Sequence, residues 1–226
     1  MTFSFAGMRG GHQLVIDSTN SFMYLFGGWD GSEDLDDLWS YDIKNNSWTL
    51  IHANAEDFGG PAARSCHKML FNPCTSQIFS LGRYLDAPNR TKEMIQSDFY
   101  LYDTANKSWL LICDDTSQVG GPPLLFDHQM CIDTAKHTIY VFGGRVVTPR
   151  NIDELTNDVQ YSGLYSYHIG NNTWTQILVD CDHPSSSNPD VLSIKSRVTH
   201  SMLFHNVCYI LILSTITIHY FFFSYI

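Results

Sequence analysis

The chain has 226 residues, 14% aromatic residues and a formal net charge of −10, from 23 acids against 13 bases. That balance argues against nucleic-acid binding, because neutralising a phosphate backbone needs clustered Lys and Arg. Six cysteines with no CxxC pair argue against a zinc framework, and the aromatic content suits a β-rich core.

Residues 1–8 read as a leader without the basic n-region and long apolar run of a secretory signal. The expected compartment is therefore the cytoplasm, with the nucleus as a second address and the thiols reduced. A first unit follows at 9–51 and a loop at 52–63. A second unit spans 64–112, with a loop at 113–125, and a third spans 126–177, with a loop at 178–196. A fourth starts at 197–205, and 206–226 is a divergent apolar tail.

Two spacings are fixed across the units. From His12, His67 and His128 it is 16 residues to Gly28, Arg83 and Gly144, the second place of the doublets Gly27-Gly28, Gly82-Arg83 and Gly143-Gly144. From Tyr41, Tyr102 and Tyr167 it is 7 residues to Trp48, Trp109 and Trp174. His200 opens the fourth unit at the same register. From doublet to Tyr the lengths are 13, 19 and 23. Fixed lengths imply strands joined by tight turns, and variable lengths imply exposed loops.

Four strands are predicted per unit: QLVI, KMLF or QMCI; then MYLF, IFSL or IYVF; then LWSY, FYLY or LYSY; then a strand at the Trp. A four-stranded antiparallel meander repeating at this period is a propeller blade. The glycines supply positive φ and close backbone approach where the second strand ends. Tyr and Trp fill the space between sheets. One histidine per unit at one register reads as a structural hydrogen-bonder rather than a metal ligand. NNSW, NKSW and NNTW read as turns in which Asn tolerates φ > 0, so the sequons at Asn45, Asn106 and Asn171 are turn residues.

A glycine doublet followed by Tyr and Trp at this separation resembles the kelch repeat, from about Arg9 to His205. GMRGGHQLVID, YLFGGWDG, ARSCHKM, LGRYLD, QSDFY and FDHQMCID narrow the likeness to the kelch regions of the muskelin family. The expected fold is all-β: a kelch-type β-propeller, incomplete, with three four-stranded blades plus the first strand of a fourth. The resemblance implies a non-enzymatic scaffold without a cofactor. It also implies roles in cell spreading, cytoskeletal organisation and a CTLH-type E3 ubiquitin ligase assembly, with CTLH-complex subunits or substrates as partners. The discoidin-like domain and the LisH and CTLH helices of that family have no counterpart among these residues.

In such a meander the loops between strands two and three share one end with the loops between blades. These loops carry the expected partner-binding residues: Trp29, Asp30, Glu33 and Asp34, opposed by Arg83, Tyr84, Arg90, Arg145 and Arg150. The acidic run Glu33 to Asp37 lacks EF-hand spacing and reads as a solvated loop. Some kelch-fold proteins are copper oxidases using Tyr, His and Cys. Here those residues recur in each unit, which argues against one unique site, and no catalytic residue is assigned. The fourth unit has Thr215 and Ile216 where a doublet belongs. Residues 207–226 carry no formal charge and are long enough for a membrane anchor, the alternative to an interrupted repeat.

Overall fold

The computed structural model describes residues 5–149, 160–178, 198, 200–205, 209–213 and 218–221. The first sheet is β1 (Gln13–Asp17), β2 (Phe22–Trp29), β3 (Asp34–Asp42) and β4 (Ser47–His52). The second is β5 (Lys68–Asn72), β6 (Gln77–Leu81), β7 (Phe99–Asp103) and β8 (Ser108–Cys113). After the short β9 (Leu125–Phe126) comes the third sheet. It holds β10 (Gln129–Asp133), β11 (Thr138–Phe142), β13 (Leu164–His168) and β14 (Thr173–Leu178), with β12 (Arg145–Val146) pairing back to β9. All three are antiparallel meanders in sequence order.

One turn design sets the register of the six tight hairpins that join strands one to two and three to four in these sheets. Asp17, Asp42, Asn72, Asp103, Asp133 and His168 end the incoming strand. Four residues later Ser21, Asn46, Ser76, Lys107, His137 and Asn172 close the turn at φ between 50° and 63°. The entry side chain accepts backbone N–H groups inside the turn, as Asp42 does from Lys44 and Asn45 and Asp103 from Ala105 and Asn106. Asn45 and Asn106 therefore do belong to turns, but their amides donate to Asp42 and Asp103. The left-handed residue is the next one along, a place that tolerates Asn and Ser but rarely Lys. Paired turns are stitched together by Ile43 N–H to Ser21, Thr104 to Ser76 and Ile169 to His137.

The sheets stack face to face, and the core lies between them rather than within any one. Tyr24, Phe26 and Leu38 of the first pack on Met69, Ile78, Tyr102 and Trp109 of the second. Phe79, Leu81 and Phe99 of the second pack on Met130, Ile139, Tyr167 and Trp174 of the third. The first strands, β1, β5 and β10, are successive neighbours. The leading face of the first sheet is open: Leu14 is 45% exposed, whereas its register equivalents Met69 and Met130 are 7% and 8% exposed.

The fourth unit extends further than the single strand expected. β15 (Ser201–His205), β16 (Tyr209–Leu213) and β17 (Ile218–Phe221) form a three-stranded antiparallel sheet. Met202 packs on Cys131, Phe142 and Leu164, and Phe204 stacks on Tyr140, so this sheet docks on the third. Residues 209–213 and 218–221 of the apolar tail thus supply strands, being rich in the β-branched and aromatic residues that favour a pleated sheet. Thr215 and Ile216 lie outside the described residues. Among the described residues no helix is long and apolar enough to cross a membrane.

Candidate partner-binding site

The glycine doublets end the second strand of each blade and turn it toward the loop end. Gly27 and Gly28 have φ of 63° and 104°, and a Cβ at Gly28 would lie 2.8 Å from the Gly10 carbonyl. In the second blade Gly82 keeps positive φ, at 79°, while Arg83 in the other place does not adopt it. The residue after each doublet is Trp29, Tyr84 or Arg145, one per blade at one register. Trp29 exchanges two backbone hydrogen bonds with Gly10, of 2.9 and 2.8 Å. Tyr84 N–H donates to Ser65 at 2.9 Å, and Arg145 pairs with Phe126.

Between the first two blades at this end lies a cavity of about 370 Å³. It is lined by Gly10, Gly11, Trp29 and Asp34 of the first blade and by Ser65, Cys66, Tyr84 and Asp86 of the second. Tyr84 is braced by the Phe126 ring edge, at 5.3 Å, and by the Arg90 guanidinium 5.8 Å from its centroid. Trp29 is 42% exposed. Asp34 Oδ1 is buried with no hydrogen-bond partner among the described residues. Cys66 is held at φ 55° with its N–H donating to Gly11 at 2.8 Å. Burial, and then the Asp127 charge, push its thiol up, which keeps it neutral and a poor nucleophile.

The predicted binding residues divide into two groups. Trp29, Asp34 and Tyr84 meet at the cavity. Asp30 and Glu33 stand on the adjacent four-residue loop, shaped by the Asp30 carboxylate accepting from Glu33 N–H at 3.0 Å and Ser32 N–H at 2.8 Å. Those bonds, Glu33 first, hold the Asp30 carboxyl below its ordinary range. Arg145 is exposed on the third blade. Arg83 and Arg90 are half-buried and each donates to a backbone carbonyl, Arg83 to Met94 at 3.0 Å and Arg90 to Leu85 at 2.9 Å. Arg150 lies outside the described residues. The acidic run is not a loop, since Asp34 to Asp37 belong to β3, where backbone pairing takes them out of free solvent.

Two ion-pair clamps went unread in the sequence. Arg9 makes a bidentate contact with Asp37 and donates to the Gly27 carbonyl at 3.1 Å. Arg64, fully buried, repeats this with Asp98 at 2.9 and 2.7 Å and with the Gly82 carbonyl at 3.3 Å. Burial alone would raise the Asp98 carboxyl, but the Arg64 guanidinium holds it below the usual range. The available signal was joint replacement: the third unit has Leu125 and Gly163 at these two registers.

Two of the recurring histidines, His67 and His128, are fully buried, and their ring nitrogens show no hydrogen bond within the described residues. His67 meets Phe26 edge-on at 5.5 Å, and His200 meets Phe142 at 5.3 Å. The missing Cβ of Gly27 and Gly82 leaves room for the next blade's imidazole, 3.1 Å from the site of a Cβ for His67 and 2.7 Å for His128. Among the described residues no three His, Cys, Asp or Glu side chains converge as a metal site.

The first two inter-blade loops are also more uniform than variable loops should be. Glu56–Phe58 and Thr116–Val119 are matching 3-10 turns, each closed by a left-handed glycine, Gly59 or Gly120. Each is followed by a second glycine under the next blade's Trp. They are clamps for the stack, so the divergent surface is carried by the loops after Trp29, Tyr84 and Arg145.

Stacked four-stranded meanders, with first strands adjacent and loops gathered at one end, define a β-propeller arc. The chain belongs to the Attractin/LZTR1 β-propeller family, whose model matches residues 4–215. It is 34% identical over 173 residues to Mei4-dependent protein 6 of Schizosaccharomyces pombe, covering 76% of this chain and 23% of that protein. It is 27% identical over 171 residues to N-(sulfonatooxy)prop-2-enimidothioate sulfolyase of Thlaspi arvense, covering 75% of this chain and 44% of that one. The chain thus spans less than half the length of these curated relatives. The solved structure of YjhT shares the fold, with a TM-score of 0.58 at 12% identity, over 90% of this chain and 58% of that one.

Proposed function

We propose that the chain is a non-enzymatic protein-interaction module that engages its partner through the loop end of the blades. One observation carries this reading: Trp29, Tyr84 and Arg145 occupy one register around that end, the first two lining a cavity, and Trp29 and Arg145 keep exposed surface. The other repeated groups, Tyr102, Trp109, Tyr167, Trp174 and the Arg64 clamp, are engaged between sheets. Exposed Trp, Tyr and Arg around a pocket are the usual anchors of an interface.

The finer reading is a muskelin-like scaffold in the cytoplasm and nucleus, with CTLH-type ligase subunits or their substrates as partners and a role in cytoskeletal organisation. It is supported by the sequence phrases around His12, His67 and His128.

The test compares two sets of substitutions in affinity capture followed by quantitative mass spectrometry. W29A with E33K and R145E alters the loop end; K44E with K107E and K136E alters the turn end. The reading expects specific partners to be lost with the first set and retained with the second. Equal losses, or losses with the second set alone, contradict it. Recovery of CTLH-complex subunits among the lost partners supports the finer reading, and their absence removes it.

A further inference from the structure

We infer that the cavity between the first two blades receives a single cationic side chain, an arginine or lysine, from an extended segment of the partner protein. This rests on the loop-end reading above and specifies the chemistry of what binds there.

The lining makes the choice of sign. Asp34 and Asp86 are both present, and no Lys, Arg or His is among the described residues that line the cavity. Of the nearby cations, Arg83 donates to Met94 and Lys68 faces the Asp127 charge, while Arg90 donates to Leu85 and lies over Tyr84, leaving the Asp34 and Asp86 side free of a basic neighbour in the lining. Asp34 Oδ1 is buried without a hydrogen-bond partner among the described residues, an unmade bond that carries a cost which a donor reaching this side chain would relieve. A carboxylate acceptor toward a guanidinium or ammonium gives the stronger, charge-assisted kind of hydrogen bond.

The walls make the choice of shape. Trp29, with 42% of its surface exposed, supplies an aromatic wall that attracts cations through the ring quadrupole and covers the apolar stem of a long side chain, while Tyr84 already carries Arg90 over its ring. Neither is placed to collapse into the space: Trp29 is tied to Gly10 by two backbone hydrogen bonds and Tyr84 is held by Phe126 and Arg90. A volume of about 370 Å³ is at the small end for ligand pockets and fits one long side chain with its flanking backbone. The chain's net charge of −10 favours approach of a basic segment over an acidic one.

The probe is the blocked pentapeptide Gly-Ser-Arg-Ser-Gly, titrated into the full chain while the Trp29 indole N–H resonance is followed. That resonance is identified by its absence in W29F. Glutamine and glutamate versions of the peptide, and methylguanidinium ion, are titrated in parallel. The arginine peptide is expected to shift the resonance saturably, with a dissociation constant on the order of 1 mM for a single anchored side chain. The glutamine and glutamate peptides should bind at least about tenfold more weakly. D34N and D86N should each weaken the arginine peptide by about fivefold or more; Asp86 is exposed, so its replacement leaves folding intact, which far-ultraviolet circular dichroism verifies. Equal binding of the glutamine peptide, methylguanidinium binding as tightly as the peptide, or unchanged affinity in both D34N and D86N overturns the inference. If loop-end capture of partners survives such a result, only the cationic occupant falls; if capture is also lost from neither face, the interaction reading falls with it.

Discussion

Trp109 lies against Phe26 of the preceding blade with ring centroids 5.3 Å apart, and Trp174 lies against Phe99 at the same 5.3 Å. The loop between blades makes room for each indole. A Cβ at Gly60 would sit 2.8 Å from Trp109 Cδ1, and one at Gly121 would sit 2.9 Å from Trp174 Cδ2. Trp48 holds the same register in the first blade, but its aromatic contacts among the described residues are Tyr41 and Trp39 of its own sheet, at 4.9 and 6.5 Å.

This asymmetry predicts unequal losses. W109A and W174A should each cost about 3–5 kcal/mol, the range for truncating a buried aromatic. W48A, on the open face, should cost less than about 1.5 kcal/mol. Urea denaturation of the three variants checks this, and three similar losses would contradict the stacking order.

The Arg64–Asp98 clamp predicts strong non-additivity. Breaking a buried pair by removing one partner costs about 3–5 kcal/mol, because the other charge is left uncompensated. R64L alone and D98G alone should each fall in that range. The double substitution restores the pattern of the third blade, Leu125 with Gly163, and should cost less than either single change. A double-mutant cycle measured by denaturation gives the answer.

Lys107 is the misfit of the repeated turns. Tyr41 and Tyr167 donate their hydroxyl protons to Asn46 and Asn172, the latter at 2.9 Å. Tyr102 faces Lys107 at that register, and its buried hydroxyl has no partner among the described residues. K107N should supply the acceptor and a residue suited to φ near 52°. The expected gain is about 1 kcal/mol in thermal or urea unfolding; Y102F should abolish it.

Acid should begin to destabilise the stack near pH 6.5, through its buried histidines. Burial pushes His128 down from 6.5 to about 3, with Lys68 adding to it, and burial with the Arg64 charge pushes His67 well down. The unfolded chain binds protons on both near pH 6.5 while the folded chain refuses them. Stability is therefore full above pH 6.5 and declines as pH falls toward 3, by up to about 1.4 kcal/mol per pH unit for each histidine. H128Q should remove about half of that slope between pH 6 and 4.5, measured as urea midpoints across pH. An unchanged slope would show that the imidazoles are accessible.

The blades were legible because their geometry is periodic in residue type. A glycine at a fixed distance from His, and a Trp at a fixed distance from Tyr, mark strand ends and strand pairs that local sterics require. Asp30 and Glu33 could be placed on a loop for the same reason. Less legible were contacts made across the sequence: Arg64 meets Asp98, 34 positions away, and Arg83 donates to Met94. Charge alone marked Arg83 and Arg90 as surface anchors, although backbone carbonyls claim both. The cavity itself depends on Gly11, Cys66 and Asp86 coming from two blades, and no local pattern names that set. In the tail, the absent doublet suggested an interrupted repeat, while the β-branched and aromatic run was sufficient for β16 and β17.

Photocrosslinking from defined positions tests the account at its centre. A benzophenone amino acid is placed singly at positions 29 and 145 on the loop end and at 45 and 106 on the turn end, and crosslinked peptides are mapped in the partner. The account predicts that 29 and 145 capture neighbouring segments of one common partner, with 45 and 106 giving background yield. Comparable capture from both ends, or capture confined to 45 and 106, would contradict it.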